Sequence, residues 1–98
     1  MSRFFLDMPN RRETNKDASQ QKNSSEMRQL VLHNDEVNTF DYVIDSLREV
    51  CGHNRLQAEQ CAIITHLKGS CDIKRGAYSE LENMYNTLLH KFLTVTIE

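Results

Sequence analysis

A chain of 98 residues has room for one domain. Its net charge of −2, with no basic stripe interleaved with aromatics, argues against nucleic acid as the main partner. No apolar run approaches the ~20 residues that a bilayer helix requires, and Phe4-Phe5-Leu6, followed by Asp7, is too short for a signal-peptide core.

Apolar residues are 39% of the chain but are unevenly spread. From Pro9 to Ser25 the only aliphatic side chain besides the proline is Ala18. Residues 1–26 therefore cannot offset their ordering entropy by burial and are expected to form a disordered, flexible extension. Residues 27–98 form the expected domain, with a small but feasible core. The extension holds five Lys/Arg against four Asp/Glu, leaving the domain at −3, a mild bias toward a cationic or neutral ligand.

Met27–His33 alternates and is rich in Leu and Val, which reads as a strand. Asn34–Val37 is a turn. Asn38 is expected to cap a helix with Asp41 at its third position. Phe40, Val43, Ile44, Leu47 and Cys51 then recur on one helical face, and Gly52 supplies a left-handed stop. Asn54 caps a second helix, with Gln57 completing a capping box. Its apolar face is Ala58, Cys61, Ala62 and Thr65, with Ile64 at the margin. Leu67-Lys68-Gly69 ends it, and a weakly marked strand follows at Ser70–Lys74. Leu81, Met84, Tyr85, Leu88 and Leu89 mark a third helix over about Tyr78–Lys91. Phe92–Ile97 alternates as a half-buried strand does. The order is β-α-α-β-α-β. Three short strands cannot enclose a core, so an α+β fold is expected, a three-stranded antiparallel sheet with three helices packed on it.

Catalysis is poorly supported. Asp35, Glu36 and His66 invite a hydrolytic reading, but there is no Gly-x-Ser-x-Gly elbow, no phosphate loop and no His-Glu-x-x-His. Glycines stand only at 52, 69 and 76. Cys51, His53, Cys61 and His66 match no common zinc spacing. The three cysteines, Cys51, Cys61 and Cys71, are odd in number and lack Cys-x-x-Cys spacing, so they read as reduced thiols of a cytoplasmic protein. No metal or other cofactor is implied. Asn34-Asp35-Glu36 has two readings. It is a solvated turn, since Asn and Asp bond their own backbone, or it is an acidic rim beside the apolar helix face. The second arrangement suits a free peptide N-terminus, a cation joined to an apolar side chain.

The whole of residues 27–98 resembles the ClpS family of adaptors. The resemblance lies in the apolar strand before Asn34-Asp35-Glu36 and in the helix Phe-Asp-Tyr-Val-Ile-Asp-Ser-Leu. It extends to Gln57-Ala58-Glu59-Gln60 ahead of Thr65-His66, and to the closing Leu93-Thr94-Val95-Thr96-Ile97-Glu98. It implies a monomeric, non-enzymatic adaptor that binds N-terminal Leu, Phe, Tyr or Trp. Such an adaptor delivers its substrates to the N-terminal domain of a Clp AAA+ unfoldase of ClpA or ClpC type. Asn34, Asp35 and His66 match the residues that hold the α-amino group. Phe40, Val43, Ala62, Thr65 and Leu93 match the hydrophobic pocket, with Glu36 and Asn38 at the rim. Glu80 matches an acid of the ATPase docking surface, whereas the family's nearby lysine aligns near Tyr85. Other departures are Glu36 for Asp, Asn38-Thr39 for Thr-Pro, Phe40 for a gating Met, and Ala62 for a larger Met. A generic interaction domain of the same fold, its turn only structural, is the rival reading.

Overall fold

The computed structural model describes residues 26–98. The expected extension lies, Glu26 apart, outside the described residues. In chain order the elements are β1 (Met27–His33), α1 (Phe40–Cys51), α2 (Arg55–Lys68), β2 (Ser70–Ala77), α3 (Tyr78–His90) and β3 (Val95–Ile97). The three strands form one antiparallel sheet in the order β2-β1-β3, and the β-α-α-β-α-β order is the expected one.

β1 takes the centre, pairing with β2 on one edge and β3 on the other. Leu30 and Leu32 alternate onto the helix side and are fully buried there. They meet Val43, Ile44, Leu47 and Cys51 of α1, Ala58 and Ala62 of α2, and Leu81 and Leu88 of α3 in one cluster. The two alanines on α2 let that helix approach closely, and its outward face carries Leu56, Ile63, Ile64 and Leu67 into solvent.

Capping decides where each helix begins. On α2 the expected reciprocal box is present: Gln57 N–H donates to Asn54 Oδ1 at 2.7 Å, and Asn54 N–H to Gln57 Oε1 at 3.4 Å. On α1 the expectation fails. The cap is Thr39, whose Oγ1 accepts from Tyr42 N–H at 3.1 Å, so Asp41 is the second helical residue rather than the third. Asn38 is unavailable as a cap because its side chain is committed elsewhere. Gly52 and Gly69 close α1 and α2 with φ of 72° and 98°, values that an L side chain adopts at a cost.

Two strand boundaries differ from expectation. β2 runs to Ala77 rather than Lys74, since pairing of Met27 with Ala77 and Arg28 with Gly76 recruits residues whose own pattern is weak. β3 begins at Val95, not Phe92. Helix α3 ends in a Schellman motif, in which Leu93 N–H donates to Leu88 O at 3.1 Å and Phe92 N–H to Leu89 O at 2.9 Å. The left-handed position of that motif is filled by Phe92, with φ of 68°. Glycine or asparagine is usual there, and an aromatic residue at positive φ is strained by about 1–3 kcal/mol. The motif turns the chain sharply enough to bury Leu93 beside Leu88, the apolar contact that accompanies such ends.

Candidate functional site

The loop between β1 and α1 is organised by one carboxylate. Asp35 Oδ1 accepts from Val37 N–H and Asn38 N–H, both at 2.9 Å. Asp35 Oδ2 accepts from Asn38 Nδ2 at 2.8 Å. This is an Asx turn of the kind that the sequence suggests, with a further side-chain bond. A carboxylate has about four acceptor sites. Three are used within the loop, so Oδ2 keeps one that a ligand cation can occupy.

Asn38, expected as a helix cap at the rim, is instead buried. Its amide donates to Asp35 Oδ2 and also to Phe92 O at 2.9 Å. It therefore ties the acidic turn to the end of α3. Asn34 extends the ladder by one bond, its N–H donating to Gly69 O at 3.0 Å. That bond draws the C-terminus of α2 to the turn, and half-buried His66 lies in the last turn of α2. Asn34, Asp35 and the helix end carrying His66 are thus fastened to one another through backbone. Glu36 is exposed.

The five residues expected to form a pocket are buried or half-buried. Val43, Ala62 and Thr65 are fully buried and Leu93 is 2% exposed. Val43, Ala62 and Leu93 belong to the central apolar cluster, and half-buried Phe40 packs against it. Thr65 satisfies its hydroxyl by donating to Cys61 O at 2.8 Å, which leaves its methyl as the surface offered to neighbours.

Glu80 is remote from this turn in the chain. It sits in the first turn of α3, exposed, where its Oε1 accepts Ala77 N–H at 2.9 Å. A Cβ at residue 76 would come 2.6 Å from that oxygen, so a side chain there would make the flexible end of Glu80 move aside. Among the described residues no group of three His, Cys, Asp or Glu side chains is placed to hold a metal ion. The three cysteines are free thiols, and burial pushes Cys51 up to about 11. His53, one of the residues that suggested zinc, is buried with Nε2 against Ile73 O at 2.8 Å.

Sequence reasoning missed a groove of about 350 Å³ lined by Val37, Asn38, Thr39, Tyr42, Lys91 and Phe92. Tyr42 OH donates to Lys91 O at 2.9 Å, fixing one wall to the end of α3. The missing signal is a glycine, since nothing in Lys91-Phe92-Leu93 announces a left-handed turn.

Comparison with known proteins gives two findings. Residues 23–94 match the family model described as ATP-dependent Clp protease adaptor protein ClpS. Among solved structures, the chain is similar to Agrobacterium tumefaciens ClpS2 bound to L-phenylalaninamide. The TM-score is 0.68 at 20% identity, covering 74% of this chain and 94% of that one, a likeness of fold. No curated protein matches the sequence significantly. No helix among the described residues is long and apolar enough to cross a membrane. The family match spans nearly the whole described domain, and the chain belongs to the ClpS family of Clp protease adaptors.

Proposed function

We propose that this adaptor binds the free N-terminal residue of substrate proteins, when that residue is bulky and hydrophobic, and carries them to a Clp AAA+ unfoldase. The observation that carries the proposal is the acceptor site left on Asp35 Oδ2; the walls proposed beside it are Phe40, Val43, Ala62, Thr65 and Leu93, which are buried or half-buried. An α-ammonium has a pKa of about 7.7–8.0 and is mostly cationic near neutrality. Asp35 takes one of its protons in a charge-assisted bond, Asn34 takes another through its side-chain oxygen, and His66 closes the third side. Because Asp35 is already held by Val37, Asn38 and Asn38 Nδ2, little reorganisation accompanies binding.

The first side chain of the substrate enters beside Phe40. Val43, Ala62, Thr65 and Leu93 have no exposed surface of note, so Phe40 swings aside as the ligand enters and the ligand ring takes its place against the cluster. A leucine or aromatic side chain gains about 1.5–3 kcal/mol from such burial. β-Branched residues, stiff at χ1, are excluded at the Phe40 gate. The L-phenylalaninamide of the similar ClpS2 structure has the two features that this site selects, a free α-amino group and an aromatic side chain.

Delivery is by tethering, which raises the substrate's effective concentration at the ATPase without catalysis by the adaptor itself. The partner is the N-terminal domain of a ClpA- or ClpC-type unfoldase in the cytoplasm, with Glu80 in the contact and residues 1–26 as the handle that the unfoldase engages. Deleting residues 1–20 tests the handle: degradation is lost while peptide binding is kept, and unchanged degradation refutes it. The binding reading is tested by fluorescence anisotropy with a Phe-initiated peptide, its N-acetylated form and an Ile-initiated form. Only the first binds. Equal affinity for the free and acetylated peptides overturns the assignment and favours a generic interaction domain.

A further inference from the structure

The groove beside the acidic turn is built by the same two chain segments that build the pocket, one residue further out on each. Phe40 and Leu93 face the core cluster, whereas their neighbours Thr39 and Phe92 line the groove. Asn38 joins the two sites, bonding Asp35 on one side and Phe92 O on the other while itself lining the groove.

Three properties of the groove mark it as a place for an apolar side chain. Val37, Tyr42 and Phe92 are 69%, 38% and 79% exposed, an apolar patch next to an otherwise charged turn. Phe92 combines two unfavourable conditions, an aromatic ring in water and a left-handed backbone that asparagine or glycine adopts more readily. Neither is offset by burial within the domain. The cation that lines the groove is already engaged, since Lys91 Nζ lies 3.2 Å from Glu49 Oε1; the turn itself carries Asp35 and Glu36, and the first turn of α1 carries Asp41. An acidic side chain is therefore disfavoured there.

Resting on the reading of this site as an N-terminus receptor, we infer that the groove of Val37, Thr39, Tyr42 and Phe92 is a subsite for the third residue of the bound substrate, selecting aromatic and large aliphatic side chains. The register follows from the extended chain. Successive side chains alternate in direction, so when the first points into the pocket the second points to solvent and the third returns to the surface, about 7 Å further along.

The test is a binding titration with Phe-Ala-Xaa peptides, where Xaa is Phe, Leu, Ser or Asp, against a control series Phe-Xaa-Ala. Wild-type protein binds the Phe and Leu members of the first series about fivefold tighter than the Ser member, the increment expected from half-burying such a side chain. The control series is flat. Phe92→Asn keeps the left-handed turn and removes the ring; it brings the first-series ratio close to one. A flat first series, a ratio that Phe92→Asn does not move, or a preference at position two overturns the subsite. Failure of every Phe-initiated peptide to bind overturns the receptor reading as well, and that outcome is distinct from flat but measurable binding.

Discussion

Asp35 holds its own loop together and is proposed to hold the ligand, and these two roles separate in Asp35→Asn. The wild-type carboxylate accepts three hydrogen bonds, two from backbone and one from Asn38 Nδ2. Asparagine retains one oxygen for Val37 N–H and Asn38 N–H, so the turn persists. Its amide then faces the Asn38 amide, donor against donor, and one partly buried bond is lost at a cost of about 1–3 kcal/mol. For a domain of this size Tm falls by about 4–8 °C per kcal/mol, leaving a folded protein that circular dichroism identifies. The consequence for binding is separate. A charge-assisted bond to the α-ammonium contributes about 1.5–3 kcal/mol, so Kd for a Phe-initiated peptide rises about 10- to 100-fold while the acetylated peptide stays equally weak. Asp35→Ala removes all three internal bonds and confounds the two effects. A folded Asp35→Asn protein that binds the free peptide with wild-type affinity refutes the ammonium assignment.

Peptide affinity should fall as pH rises above about 8, because the neutral amine has no charge for Asp35; isothermal titration over pH 6–10 measures it, and a flat profile counts against the ionic contact. Asn38→Ala should cost about 2–3 kcal/mol by removing two buried donor bonds, to Asp35 Oδ2 and Phe92 O, and chemical denaturation checks it. Thr39→Ala should cost about 1 kcal/mol through the lost cap of α1, whereas a cap at Asn38 would make that substitution nearly neutral. Cys51 is raised to about 11 by burial, so its folded state favours the neutral thiol. The unfolded chain, with the ordinary thiol value near 9.0, loses its proton first as pH rises. The Cys51 contribution to stability is therefore complete below about pH 9 and declines through pH 9–11, and Cys51→Ala removes that contribution in pH-dependent melts.

How much of this was legible depended on whether an element carried its own signal. α1 and α2 were readable because their buried faces recur at helical spacing, and because Gly52, Gly69 and the Asn54–Gln57 box mark ends with residue types that have few other uses. The alternation of β1 gave its burial but not its central place in the sheet, which comes from pairing on both edges. β2 was half invisible: Arg75, Gly76 and Ala77 lack a strand pattern and are recruited by β1 across the ladder. At the site, the Asx turn and the burial of Val43, Ala62 and Thr65 followed from residue type and spacing, while their reading as pocket walls followed from family resemblance. The assignment of Asn34, Asp35 and His66 to one ligand followed from family resemblance, since each alone reads as a turn or a helix residue. Asn38 was misread as a cap because the partner that takes it, the carbonyl of Phe92, is 54 residues away. Phe92 itself was misread as a strand residue, since its apolar character fits the alternation and only its backbone angle reveals the turn.

That misreading locates the point where sequence pattern and structure conflict, and such conflicts concentrate at functional positions. Asparagine at residue 92 would relieve the backbone and remove an exposed ring, so stability alone favours Phe92→Asn. The change leaves Leu93 buried, the Schellman bonds intact and the carbonyl available to Asn38. Phe92→Asn should therefore raise Tm by several degrees, given about 1 kcal/mol of relieved strain. It should also weaken only those peptides that carry an apolar third residue. A gain in stability coupled to a selective loss of binding is the signature of a residue kept for its ligand. An aromatic that served the fold would show the opposite, a lower Tm with peptide preferences unchanged. The same substitution thus decides whether the strained end of α3 is a structural accident of a Schellman turn without glycine, or the outer part of the proposed recognition site.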